Sequence, residues 1–382
     1  MKYRLLGPFK LFSWKTWYVS CQKKLDSNIR RVLVWLGVTG CNVLPEDPNQ
    51  EEYMVRKGLT FLLALSVLLA LSVTSVFANG SKESSSSGSS KAPMSVAITL
   101  GDIGNPYFYA LAKGAEYQAK KDFGANTNVI IDSSAYDLGK QSNQIDNYIA
   151  SGVKLLILGA ADSNGIGPAV ARAKKAGMTV IGVDVTAKNA DLNITSNNVQ
   201  GGEEAGKALV KKLGDKGNIV IINGPPVSAV TDRVKGFLSV LKNYPGIKIL
   251  SQDQNAGGSR DGGLKVMSNL LTAYPDINAV FGINDPTSIG ANLAGTQANR
   301  TNFFIVSVDG SPDVMKQLNQ PNNLILGTAA QDPVTMGMKA VDLGQKIMDG
   351  TQKADGSTIL IPVQWIDKQN MATYKGWTPP KQ

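Results

Sequence analysis

Histidine is absent from this sequence, and cysteine occurs only as Cys21 and Cys41. The first absence excludes His-based catalytic triads and His-ligated zinc. The second excludes a disulfide framework for the later chain, because both thiols precede the first strand pattern. No G-x-x-x-x-G-K-[ST] phosphate loop occurs. An excess of one charge is also missing where it would matter. The whole chain carries a formal +9, but residues 79–382 hold 29 Lys and Arg against 25 Asp and Glu, a net charge of +4 with no basic block. Nucleic acid is therefore not an implied partner. What remains is a chain of 382 residues with 43% hydrophobic and 18% charged content. That is enough for a sizeable core and for two domains.

Residues 1–53 are basic, carry Trp14, Trp17 and Trp35, and lack a clear periodicity. They read as an upstream extension outside the native protein, or else as a cytoplasmic or membrane-associated addition. Met54 opens a different pattern. Val55-Arg56-Lys57 is a short basic stretch, Leu59–Val76 is apolar, and Val76-Phe77-Ala78 has small residues where a signal peptidase reads. Residues 54–78 are thus expected to be a cleaved signal peptide, with a transmembrane anchor as the alternative. Residues 79–94, with the Ser84–Ser87 run, read as a flexible linker.

From Ser95 onward strands and helices alternate. Val96, Ile98 and Leu100 alternate with small or polar residues and predict a strand. A Gly101–Pro106 turn cluster follows, and Tyr107, Leu111, Ala115 and Ala119 then repeat at helical spacing. Further strands are expected at 128–132, 155–158, 179–183, 218–222, 247–251, 279–282 and 303–308. The helices between them are expected at 107–122, 139–150, 166–176, 203–213, 230–243, 261–273 and 289–298, with Ser163 and Asn164 available to cap the third. Such alternation predicts parallel sheets with helices on both faces, in two lobes. An internal repeat points the same way. Leu158-Gly159-Ala160-Ala161-Asp162 followed by Ile166-Gly167 aligns with Phe281-Gly282-Ile283-Asn284-Asp285 followed by Ile289-Gly290. Each is succeeded by a helix and a strand ending in aspartate, Asp184 and Asp309.

Open α/β sheets place ligands beyond the carboxyl ends of their strands. The strand-end carboxylates Asp162, Asp184, Asp285 and Asp309 lie there. Each can cap the following helix, or two can form an acid/base pair, or they can accept hydrogen bonds from ligand hydroxyls. The third reading gains from nearby amides (Asn105, Asn284, Gln331), a guanidinium (Arg233) and aromatic faces (Tyr107, Phe108). A polyhydroxylated neutral ligand needs such donors, acceptors and rings. Gly165-Ile166-Gly167 resembles a dinucleotide fingerprint lacking its third glycine, a weak signal; no cofactor and no metal are expected. Gly257-Gly258 and Gly262-Gly263 flank Ser259-Arg260-Asp261, which reads as an anion contact or a turn with a helix cap.

On these residues the chain from Ser95 to about Gln369 resembles the periplasmic sugar-binding proteins of ABC transporters, the ribose-binding group above all. Asn105-Pro106-Tyr107-Phe108 is similar to the family's ligand loop, Asp184 to its first strand-end carboxylate, and Thr231–Phe237 to the segment carrying its arginine, Arg233. Asn284-Asp285, Asp309 and Gln331 fall on further ligand positions. The resemblance implies an α/β fold of two Rossmann-like lobes joined by a three-segment hinge, with the ligand in the cleft. It implies lobes at 95–197 plus 332–360 and at 198–331 plus 361–382. It also implies a monomer, not an enzyme, that closes on a small neutral sugar or polyol in the periplasm and docks on a membrane ABC permease. A sensor feeding a chemoreceptor or kinase is the alternative, and a sugar-responsive transcription regulator is disfavoured by the signal peptide. Three departures bear on the ligand. Val185 stands where ribose binders carry an arginine, Val308 where they carry an aromatic, and the Asn255–Ser259 loop lacks their stacking ring. Asp102 and Asp253 are candidate replacement contacts, and a sugar or sugar alcohol other than ribose is expected.

Overall fold

A computed structural model describes residues 93–378. The expected extension, signal peptide and most of the linker lie outside these residues. Two six-stranded sheets organise the described part. The first is built from β1 (Ser95–Leu100), β2 (Asn128–Ser133), β3 (Leu155–Leu158), β4 (Thr179–Val183) and β5 (Leu192–Ser196), with β11 (Thr358–Ile361) added from near the chain end. Its order is β11-β5-β4-β3-β1-β2, and every pairing is parallel. The second contains β6 (Lys216–Asn223), β7 (Gly246–Asn255), β8 (Ala279–Gly282), β9 (Phe304–Asp309), β10 (Ile325–Ala330) and β12 (Gln364–Asp367), in the order β12-β10-β9-β8-β6-β7. Here β12 runs antiparallel to β10, a departure from the expected all-parallel sheet. Strand β12 enters this sheet directly from β11 of the first sheet, with only Pro362 and Val363 between them.

The two sheets repeat one topology. Strands β2-β1-β3-β4-β5 correspond in order to β7-β6-β8-β9-β10, so the repeated segments occupy equivalent positions, β3 with β8 and β4 with β9. The inner strands are buried on both faces, as Leu155–Leu158 and Ala279–Gly282 show. Both faces are covered by helices: α1 (Pro106–Phe123), α2 (Leu138–Ala150), α3 (Gly167–Lys175), α4 (Asn198–Leu213), α5 (Ser228–Leu241), α6 (Arg260–Ala273), α7 (Asp285–Gln297), α8 (Pro312–Leu318) and α9 (Pro333–Met348). Seven of their starts are set by a side-chain cap, namely Asn105, Asp137, Asn197, Ser259, Asn284, Ser311 and Asp332. A cap of this kind contributes about 1 kcal/mol. The expected caps of α3 do not form. Ile166 stands at its N-cap position without a side-chain bond, and Asp162 Oδ1 instead accepts from the Asn164 and Gly165 amides in the preceding turn.

Three helix pairs cross on reciprocal glycines. A Cβ added at Gly114 or Gly337 would strike backbone of the partner in the α1–α9 pair. The same holds for Gly202 and Gly236 between α4 and α5, and for Gly263 and Gly290 between α6 and α7. The chain passes from one sheet to the other three times: between β5 and α4, between β10 and α9, and between β11 and β12. The first and third passages are bonded to each other, the Asn197 amide donating to the Ile361 carbonyl and Gln200 Nε2 to the Val363 carbonyl.

Candidate functional site

Strand-end loops from both sheets enclose one cavity of about 30 Å³. From the first lobe come Asn105, Tyr107 and Phe108 at the start of α1, Tyr136 before α2, and Asp184 and Val185 after β4. From the second come Arg233 on α5, Gly258 and Asn284 at loop ends, Asp309 at the end of β9, and the apolar Val227, Val230 and Ile283. A wider cavity of about 280 Å³ opens outside it, shares Asn105 and Gly258 with it, and has Asp102, Arg260 and Asp313 at its rim.

The first-lobe carboxylate is held by backbone. Asp184 adopts a left-handed conformation, φ 60°, just past β4. Its amide donates to the Ile194 carbonyl and its carbonyl accepts from Thr195 Oγ1 at 2.6 Å. The side chain is then aimed into the cavity, where Oδ1 is buried without a hydrogen-bond partner. Burial raises its pKa above the usual carboxylate range, and the Arg233 charge opposes that rise. A buried acceptor left unbonded costs about 1–3 kcal/mol, so this oxygen favours a ligand that brings a donor.

Asp309 is the second-lobe counterpart, also at positive φ (142°). Its Oδ1 accepts from Gln331 Nε2 at 2.8 Å and from Arg233 Nη1 at 3.4 Å, and its Oδ2 from the Asp285 amide. Burial, with Asp285 and Asp184 nearby, pushes its pKa well up, and Arg233 pulls it down. Arg233 is itself fixed by Asn198 Oδ1 and the Ile283 carbonyl, each at 2.9 Å. Because Asn198 opens α4 beside the first passage between sheets, the guanidinium ties the cavity to that passage.

Aromatic rings line the first-lobe side. Tyr107 meets Phe108 edge-on at 5.6 Å, and Phe108 meets Tyr136 at 6.3 Å. Behind them, Trp377 of the chain's tail packs edge-on against Tyr107 at 5.7 Å and donates from Nε1 to the Gln331 carbonyl. Tyr374 donates to the Gly310 carbonyl.

Of the eight residues singled out from the sequence, seven line the inner cavity: Asn105, Tyr107, Phe108, Asp184, Arg233, Asn284 and Asp309. Gln331 does not line it but reaches it through Asp309. Asn284 is engaged structurally, with Oδ1 capping α7 through Thr287 and Nδ2 holding the Gly258 carbonyl. Asp285 faces inward, accepting from Ser307, Thr328 and the Ser311 amide. Asp253 lies exposed on β7 and Asp102 only at the rim. Ser259 caps α6, which settles that glycine-flanked segment as a turn with a cap.

Residues 96–352 match the family model described as periplasmic binding protein domain. The ribose import binding protein of Escherichia coli strain K12 is 32% identical over 267 residues, covering 69% of this chain and 88% of that protein.

The chain belongs to the periplasmic binding protein family.

The D-apiose import binding protein of Paraburkholderia graminis is 33% identical over 287 residues, covering 74% of this chain and 90% of that protein. An ABC transporter periplasmic solute binding protein from Actinobacillus succinogenes, solved with bound D-allose, is similar over 74% of this chain and 100% of its own, with 27% identity and a TM-score of 0.67. One residue lining the cavity of this periplasmic binding protein does not stand out in the sequence, Tyr136. It sits in a Ser133-Ser134-Ala135-Tyr136-Asp137 turn, which reads as an ordinary loop. Its signal was positional, since it follows the carboxyl end of β2, the end from which Asn105 and Asp184 also project.

Proposed function

We propose that this protein is an extracytoplasmic solute-binding protein that captures a neutral sugar or sugar alcohol and delivers it to a membrane ABC permease. The observation that carries this reading is the meeting of Asp184, with its unpartnered buried oxygen, and the Arg233–Asp309 pair across one aromatic-walled cavity. Each ligand hydroxyl both donates and accepts, and a carboxylate with a guanidinium offers both complements. The relatives named above support the same class.

The cavity is far below the roughly 300–1,000 Å³ of ordinary small-molecule sites. In this reading the lobes part about their three connections to admit the ligand and close on it, with the closed form favoured by contacts that both lobes make. The signal at residues 54–78 directs export, and the exported chain begins near Asn79, which intact-mass measurement checks.

Val185 lines the cavity where ribose binders carry an arginine, so the first-lobe face offers fewer donors. Among the described residues no aromatic ring from the second lobe lines the cavity, whereas Val308 is buried in the core instead. An open-chain polyol or small furanose depends less on that second face. Titration calorimetry of the purified protein with ribose, xylose, glucose, galactose, xylitol and ribitol tests the reading. One of these should bind tightly, with ribose weaker than the best by about tenfold, or ~1.4 kcal/mol. Ribose emerging tightest would overturn the ligand preference, and no binding by any of the six would overturn the function.

A further inference from the structure

The turn that places Tyr136 in the cavity wall is built at a conformational cost. Ala135 and Tyr136 are both non-glycine residues at positive φ, 54° and 57°, a region few such residues adopt. The turn is held by backbone: the Tyr136 amide donates to the Gly101 carbonyl at 3.2 Å and the Asp137 amide to the Ser134 carbonyl at 3.0 Å, and the Ala135 amide adds a bond to Ser133 Oγ at 3.4 Å. The ring needs the space above Gly101, where a Cβ would stand 2.5 Å from Tyr136 Cε1. Its edge meets Phe108 and its other side opens on the cavity shared with Asp184 and Arg233.

Donors on this side of the cavity are few. Asp184 can only accept, and its neighbour Val185 is apolar. The Tyr107 hydroxyl lies 3.6 Å from Met336 Sδ and close enough to Asp184 to favour that carboxylate's charge, and Asn105 Oδ1 accepts from the Tyr107 amide, which leaves its Nδ2 as a donor. Burial above all, with the Asp184, Asp102 and Asp309 charges, raises the pKa of the Tyr136 hydroxyl, and the Arg233 charge lowers it. We infer that Tyr136 is a specificity-determining residue whose hydroxyl hydrogen-bonds one particular hydroxyl of the ligand on the Asp184 side of the cavity. This rests on the sugar- or polyol-binding reading and deepens it. The preferred ligand must present a hydroxyl between a carboxylate and a neutral phenol, so compounds lacking that hydroxyl are discriminated against by this pair.

The test is Tyr136→Phe, which keeps the ring over Gly101 and removes only the hydroxyl. The tightest binder among the six compounds above and its monodeoxy derivatives are titrated into wild type and variant. The variant should bind the parent compound about tenfold more weakly with an unchanged melting temperature. For one monodeoxy derivative, wild type and variant should bind equally within about twofold, because the bond is already missing. Unchanged affinity for the parent overturns the inference while leaving the function intact. An equal loss for the parent and every derivative assigns Tyr136 to shape alone and also overturns it. If wild type binds none of the six, the functional reading fails, and the inference falls with it.

Discussion

Arg233 and Asp309 show how a buried charge is kept usable. The pair is almost wholly removed from water, at 6% and 3% side-chain exposure, yet the N–O distance is a loose 3.4 Å. Neither group relies on the other alone. Arg233 has Asn198 and the Ile283 carbonyl, and Asp309 has Gln331 and the Asp285 amide. Removing either partner leaves the other buried with a missing contact and takes a charged contact from any hydroxylated ligand. Hydrogen bonds to charged groups contribute about 1.5–3 kcal/mol, so Arg233→Ala or Asp309→Ala should weaken sugar binding by about ten- to a hundredfold. The circular dichroism spectrum should stay that of the wild type. Calorimetry showing unchanged affinity in both variants would remove them from the site. Most of this constellation was legible from residue type and strand-end position. The division of labour was not, because a capping asparagine and a ligand-facing one look alike in sequence. Asn284 is spent on Thr287 and Gly258, and only the geometry distinguishes that use.

Among the elements, those with strong apolar patterns were read close to their observed ends. Leu155–Leu158, Thr179–Val183 and Ala279–Gly282 coincide with the expected strands. Strand β5, Leu-Asn-Ile-Thr-Ser, was not read, for a physical reason. Its polar residues are buried, but they serve the neighbouring loop: Asn193 accepts from the Ala187 amide and Thr195 donates to the Asp184 carbonyl. The pattern of a strand is thus masked by the task of aiming Asp184. Helix α4 begins at Asn198, five residues before the expected Glu203, because Asn197 supplies the cap through the Gln200 amide. The α4–α5 crossing carries a prediction. At Gly236 an added methyl would meet the Val199 carbonyl, at the turn of α4 that also bears Asn198. Gly236→Ala gains about 1 kcal/mol of helix propensity, but overpacking costs about 1–3 kcal/mol. The variant should melt lower and bind its sugar more weakly, since Asn198 moves with α4 and Arg233 with Asn198. Equal melting temperature and affinity would show that the crossing has slack.

Across the whole molecule, the internal repeat gave away the paired architecture before any coordinate, since two like segments demand two like sheets. The end of the chain was opaque. Strand β12 leaves the second sheet's edge, and the tail turns back so that Trp377 is buried against Tyr107 of the first lobe and bonded to Gln331 beside the second passage between the sheets. No periodicity in so short a tail announces that contact, which is tertiary in origin. It also equips the protein with an optical reporter. Trp365 and Trp377 are the tryptophans beyond residue 79, and Trp365 lies on the edge strand with its indole bonded to Asp367. Trp377 is separated from the cavity by one ring only. Ligand that displaces Tyr107 or shifts Gln331 changes the polarity around the indole. Titration of the purified protein should therefore alter its tryptophan emission, and Trp377→Phe should silence that signal while calorimetry still registers binding. A response that survives in Trp377→Phe would trace instead to Trp365. The side chain that buttresses the pocket from behind is then also the one through which its occupancy can be watched by light.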